Sequence, residues 1–148
     1  MKKIITLLAL LTISLNAEKQ KLCPIYVEDE IDTEEFVSYK GVKVYMCCGT
    51  CVRAWEKNPD YYAKVSQVMK TVPSLMDIDL SKVKLLKQRF CIARPDRVVH
   101  PESPSVTYKG KKIYFFKSSD IRRKWDPNPE EAFRKARESG LLPQFDKS

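Results

Sequence analysis

Histidine and glycine are scarce in this chain, with one His (His100) and four Gly among 148 residues. A single imidazole, in a loop punctuated by Pro95, Pro101 and Pro104, argues against a Cys–His or Ser–His catalytic pair and makes a poor start for a metal site. No glycine-rich phosphate loop and no groove-reading nucleic-acid motif can be drawn. Nor does any apolar run reach the roughly 20 residues that span a bilayer. The one extended apolar stretch, Ile4 to Leu15, is broken by Thr6, Thr12 and Ser14, follows Lys2 and Lys3, and leads to Leu15-Asn16-Ala17. That layout predicts a bacterial secretory signal over residues 1–17, cleaved near Ala17. The mature chain is then expected in the periplasm or outside the cell, with no stable membrane insertion; an uncleaved anchor is the alternative.

Lys and Arg number 27 against 19 Asp and Glu, for a net charge of +8, which becomes +6 without Lys2 and Lys3. The charges are interleaved, as in Glu28-Asp29-Glu30 and Arg122-Arg123-Lys124, so they read as a solvated basic surface and not as a nucleic-acid patch. A weak attraction to anionic lipid or cell-surface polymer is compatible with this balance. At 43% hydrophobic and 31% charged, the composition is that of a folded, soluble protein.

A pattern is written twice. Cys23, Tyr39-Lys40-Gly41, Tyr45, Trp55 and Asn58-Pro59 are matched by Cys91, Tyr108-Lys109-Gly110, Tyr114, Trp125 and Asn128-Pro129, at offsets of 68 to 70 residues. Similarity at a fixed offset predicts two copies of one structural unit. The expected organisation is a first unit over 18–70, a linker over 71–89 with one helical turn around Leu80 to Leu86, and a second unit over 90–148. Units of this size bury little apolar surface, so a metal, a disulfide or mutual packing is needed to stabilise them.

Within each unit, Tyr-Lys-Gly lies between strand-forming runs, Phe36 to Tyr39 with Val42 to Met46 and Val106 to Tyr108 with Lys112 to Phe116, which predicts a β-hairpin. Thr50 and Ser119 are the expected N-caps of a short helix. Asn58-Pro59 and Asn128-Pro129 open a second one, Asp60 to Met69 and Glu130 to Ser139, the latter stopped by Gly140. The fold class is α+β: two tandem small units, each a β-hairpin followed by short helices. Trp55, Trp125, Tyr61, Tyr62 and Phe133 are assigned to the core. If the two units pack face to face, Tyr45 and Tyr114 on the hairpins form the natural seam.

Four of the five cysteines, Cys23, Cys47, Cys48 and Cys51, lie in the first unit. A thiol at the start of a unit plus a cluster where a hairpin hands over to a helix is the layout of a treble-clef or zinc-ribbon site, in which two segments lend sulfur to one ion. Cys47 and Cys51, or Cys48 and Cys51, converge if the segment coils into a first helical turn. A helix N-terminus favours the thiolate form. Thiolates select Cu(I), Zn(II) or similar soft ions: three suit trigonal Cu(I), and four suit tetrahedral Zn(II).

Cys-Pro, then Tyr-Lys-Gly-x-x-x-Tyr-x-Cys-x-x-x-Cys, an aromatic residue four positions on, and Asn-Pro-x-x-Tyr resemble the YHS/TRASH-like family of small cysteine-bearing domains associated with heavy-metal trafficking, resistance and sensing. The likeness covers residues 23–65, and residues 91–143 in framework only. It implies metal ligation by Cys23, Cys47 and Cys51, with Cys48 an extra sulfur beside them. In the second unit Phe116 and Asp120 stand where Cys47 and Cys51 are expected, so that unit has lost the metal and survives as packing partner or interaction surface. Cys91 is a candidate to reach across as a fourth ligand of the first site.

The expected function is that of an exported protein, not an enzyme, that holds a Zn or Cu(I) ion for trafficking or sequestration and exchanges it with a metal-donor or acceptor protein. Two other readings stay open. The cysteines of an exported chain can instead staple the fold as disulfides. Cys48-Gly49-Thr50-Cys51 is also a Cys-x-x-Cys at a helix start, the layout of a thiol-disulfide oxidoreductase, although the βαβ frame of such enzymes is missing.

Overall fold

The computed structural model describes residues 19–146; the expected signal segment lies outside them. The order is β1 (Asp32–Tyr39), β2 (Val42–Met46), α1 (Gly49–Lys57), α2 (Pro59–Met69), β3 (Phe90–Cys91), β4 (Arg94–Val98), β5 (Ser105–Tyr108), β6 (Lys111–Tyr114), α3 (Ser118–Asp120) and α4 (Pro129–Glu138). A π-helical turn over Ile121–Trp125 continues α3. The strands form three separate two-stranded antiparallel sheets, so the class is α+β. Among the described residues no helix is long and apolar enough to cross a membrane.

The hairpin turns follow from Lys-Gly. Lys40 and Gly41 have φ of 45° and 85°, Lys109 and Gly110 of 47° and 77°. Positive φ at both central residues is the type I′ pattern, whose twist matches that of the flanking strands. Glycine takes the second position without steric cost, whereas lysine in the left-handed region costs about 1 kcal/mol. Each turn lysine reaches an acid at the start of the following long helix: Lys40 to Asp60 at 3.3 Å and Lys109 to Glu130 at 3.6 Å. The tyrosine before each turn donates its hydroxyl to the same acid, Tyr39 to Asp60 and Tyr108 to Glu130.

Two cores result. In the first, Trp55 meets Tyr39 edge-on at 5.5 Å and stacks with Tyr62 at 6.2 Å, over Val44, Met46, Tyr61 and Val65. In the second, Trp125 meets Tyr108 at 5.1 Å and Phe115 at 6.0 Å, beside Phe133 and Leu142. All five aromatics assigned to the core are buried. A glutamine locks each hairpin in the same way. The Gln20 side chain donates to the Leu22 and Tyr45 carbonyls and accepts from the Tyr45 N–H, and Gln88 does so with Phe90 and Tyr114.

The halves do not meet through Tyr45 and Tyr114. Tyr45 faces Phe36, its cross-strand partner on the same hairpin, at 6.1 Å. The contact runs instead through β4. The Val98 N–H donates to the Ile25 carbonyl and the Val27 N–H to the Asp96 carbonyl, both at 3.0 Å, and Val98 is buried in the first core. His100 packs against Tyr61 and Tyr62, accepts at Nδ1 from the Asn58 amide at 3.2 Å, and has its pKa lowered by burial.

Asn58 therefore does not cap α2 with its side chain, which is occupied by His100 and Glu102. Asn128 does cap α4, accepting from the Glu131 N–H at 3.1 Å. We expect Asn128→Ala to lower the unfolding free energy by about 1 kcal/mol and Asn128→Ser to restore most of it, as read from urea denaturation.

Two expected details fail. The connector forms a 3-10 turn at Pro73–Leu75 and not a helical turn around Leu80 to Leu86, since Gln67 of α2 captures the Leu75 and Ile78 carbonyls at 2.7 Å each. The N-cap of α1 is Cys48, not Thr50, and that of α3 is Lys117, not Ser119. The chain turns helical directly after the hairpin, and the Cys48 carbonyl already accepts from the Cys51 N–H at 3.0 Å.

Candidate metal centre

Cys23 opens a tight turn. Its N–H donates to the Asp29 carbonyl at 2.9 Å, and the Tyr26 N–H donates to its sulfur at 3.4 Å. Pro24 and Ile25 are buried beside it. The bonds from Val98 and to Asp96 hold this turn against β4, so the second half fixes the first candidate ligand in place. Cys47 follows β2, Cys48 takes an extended backbone, and Cys51 lies in the first turn of α1.

These segments bring the Cys23, Cys47 and Cys51 sulfurs within 4.8 Å of one another. Cys48 stands at the same cluster, its sulfur 3.8 Å from those of Cys47 and Cys51, which are 3.6 Å apart. Cys23 and Cys51 are fully buried, while Cys47 and Cys48 are half-buried. All five cysteines of the chain carry free thiols. Cys91 belongs to the second core, so it is not a fourth ligand. His100 is likewise engaged at the interface between the halves and not at the cluster.

Hydrogen bonds and burial set the charge of the cluster. A bond from the Cys51 thiol, helped by backbone N–H groups of Tyr26 and Ile25, lowers Cys23 to about 6. The same bond, with burial, pushes Cys51 far up. Cys47 is pushed up to about 12 by burial and then by the charge on Cys23. Burial opposes ionisation of Cys48, but the Cys51 N–H and the neighbouring thiols outweigh it and lower its pKa. The Cys23 thiolate thus sits against protonated Cys47 and Cys51, an arrangement that a soft cation resolves by displacing the protons.

Three residues beside the cluster, Tyr26, Arg97 and Phe116, are not assigned to it from the sequence. Tyr26 is raised to about 12, chiefly by burial. Its ring lies under the Arg97 guanidinium at 3.5 Å and edge-on to Phe116 at 5.4 Å. Arg97, in turn, pairs with Asp96 and with Asp29 at 3.7 Å. Two of the three come from the second half, and only the offset of Phe116 from Cys47 hints at a role.

The corresponding place in the second half is closed by an ion pair. Asp120 is 3% exposed and accepts from Arg94 Nε at 2.8 Å and from the Lys117 N–H at 3.1 Å. Cys91, buried and raised by that burial, receives the backbone N–H groups of Phe116, Ala93 and Arg94. One sulfur and one neutralised carboxylate leave no soft donor set there.

Comparison with protein-family models, with curated proteins and with solved structures finds no match to this chain.

Proposed function

We propose that the chain is an exported carrier of a thiophilic ion, Cu(I) or Zn(II), held by Cys23, Cys47 and Cys51 with Cys48 beside them. The observation that carries this reading is the convergence of sulfurs from two separate stretches to within 4.8 Å. Three thiolates suit trigonal Cu(I), and recruitment of Cys48 suits tetrahedral Zn(II). The reading takes the two halves as copies of one YHS/TRASH-like unit, which the paired Gln20 and Gln88 locks, the Lys-Gly turns and the Trp55 and Trp125 cores support. The second copy has exchanged its ion for the Arg94–Asp120 pair and now braces the Cys23 turn. The chain acts by capture and hand-over to a donor or acceptor protein and catalyses no reaction.

Purification of residues 18–148 under anaerobic conditions, with metal content and free thiols counted, tests this. One ion per chain supports the carrier. A metal-free, stable chain with its cysteines oxidised supports a disulfide scaffold, and disulfide-reductase activity would restore the oxidoreductase reading.

Affinity should rise with pH. Around neutrality each ion displaces the protons of Cys47 and Cys51, so the logarithm of apparent affinity gains about two per pH unit. Below about pH 6 the Cys23 proton must leave as well, and the slope steepens toward about three. Competition against a chelator, corrected for the chelator's own protonation, reads the slope; a flat profile contradicts thiolate binding.

A further inference from the structure

The four sulfurs form two triangles that share one edge. Cys23, Cys47 and Cys51 make an inner triangle whose Cys23 and Cys51 corners are fully buried. Cys47, Cys48 and Cys51 make an outer one, with edges of 3.6, 3.8 and 3.8 Å and the half-buried Cys48 as its third corner. Around an ion with metal–sulfur bonds of about 2.3 Å, sulfurs stand roughly 3.8 Å apart in a tetrahedron and roughly 4.0 Å apart in a trigonal plane. The outer triangle therefore has the dimensions of an ion-binding set, and it shares its 3.6 Å Cys47–Cys51 edge with the inner one, whose sulfurs all lie within 4.8 Å.

We propose that the centre has two seats sharing Cys47 and Cys51, and that the ion leaves through the outer one, handed from Cys23 to Cys48 before a soft acceptor takes it. This rests on the carrier reading and names its exit step. In that step the Cys48 sulfur bonds to the ion as the Cys23 bond breaks, and any proton Cys48 carries passes to the freed Cys23 sulfur or to solvent. The ion keeps its oxidation state and three sulfurs throughout, so neither oxidant nor reductant takes part. Exchange through a replacement ligand avoids the barrier of a two-coordinate ion in a buried site. Cys48 is placed for the step. It lies on extended backbone before α1 and is half-buried, whereas Cys23 is fully buried.

The test uses Cu(I)-loaded chain, a diimine chelator as acceptor, and the variants Cys48→Ser, Cys23→Ser and Cys47→Ser. Serine is a good N-cap residue, so Cys48→Ser is expected to fold; circular dichroism checks each variant. Cys48→Ser should bind Cu(I) within about threefold of the unsubstituted chain, yet release it about tenfold more slowly, since the stepping ligand is gone. Cys23→Ser should bind more weakly and release faster, from the outer seat alone. Cys47→Ser, which breaks both triangles, should bind neither way. Release from Cys48→Ser at the unsubstituted rate overturns the exit role, and so does a loss of affinity of about a hundredfold, which would make Cys48 a resident ligand. If the unsubstituted chain takes up no Cu(I), the carrier reading fails and this one with it; equal release rates in a chain that binds sink only the two-seat mechanism.

Discussion

Replacing Cys51 or Cys47 by serine is expected to take the metal content of the purified chain from one ion to essentially none, while Cys91→Ser leaves it unchanged. Apparent binding energies of about 10–16 kcal/mol for four-ligand structural zinc sites put roughly 3 kcal/mol on each ligand, more than a hundredfold in affinity. A hydroxyl is a poor substitute because it stays protonated and is hard where the ion is soft. Cys47 and Cys51 are the sulfurs common to the Cys23–Cys47–Cys51 and Cys47–Cys48–Cys51 triangles. Cys91 makes a stringent control. It is as fully buried as Cys51, so both serine variants leave a buried hydroxyl and lose similar stability, but only one loses a ligand. Metal analysis after gel filtration, beside urea denaturation of both variants, separates the two effects. Equal metal content in the Cys51 and Cys91 variants would remove the cluster from any role in binding.

Trp55→Ala is expected to destabilise the chain by about 3–5 kcal/mol, the range for truncating a large buried aromatic side chain. The indole is 2% exposed and touches Tyr39 and Tyr62. It therefore ties the hairpin, α1 and α2 together. Natural domains hold only about 5–15 kcal/mol in total, so the first half of the variant should be partly unfolded at room temperature without ligand. An ion that binds the folded state alone pulls the equilibrium back, by about 4 kcal/mol at a thousand times its dissociation constant. Urea unfolding followed by Tyr and residual Trp125 fluorescence, with and without Cu(I), reads both numbers. A loss below about 1 kcal/mol would mean that Trp55 is not the keystone of this core.

Features with a local cause were legible in the sequence. The two hairpins follow from Tyr-Lys-Gly between strand formers, and the long helices start at Asn-Pro because proline presets the first turn and acids favour a helix N-terminus. The cysteine cluster followed from the same reading, since a hairpin that runs straight into a helix must gather Cys47, Cys48 and Cys51 at the junction. What stayed hidden depends on distant partners. The two-residue β3 exists because it pairs with β4. The fold of the connector is dictated by Gln67, on a different element. The seam between the halves was misplaced for the same reason: Tyr45 packs on Phe36 of its own hairpin, and β4 reaches the Cys23 turn instead. Tyr26, Arg97 and Phe116 form a wall only once that seam is known, and Phe116 and Asp120 read in the sequence as lost ligands before their new partners, Tyr26 and Arg94, could be seen.

X-ray absorption at the metal edge of the Cu(I)-loaded chain is the most direct test of a centre assembled from the Cys23 turn and the start of α1. A shell of three sulfurs with no nitrogen or oxygen neighbours is expected, in a sample holding one ion per chain. A shell dominated by oxygen or nitrogen, or one with fewer than three sulfurs, would contradict it.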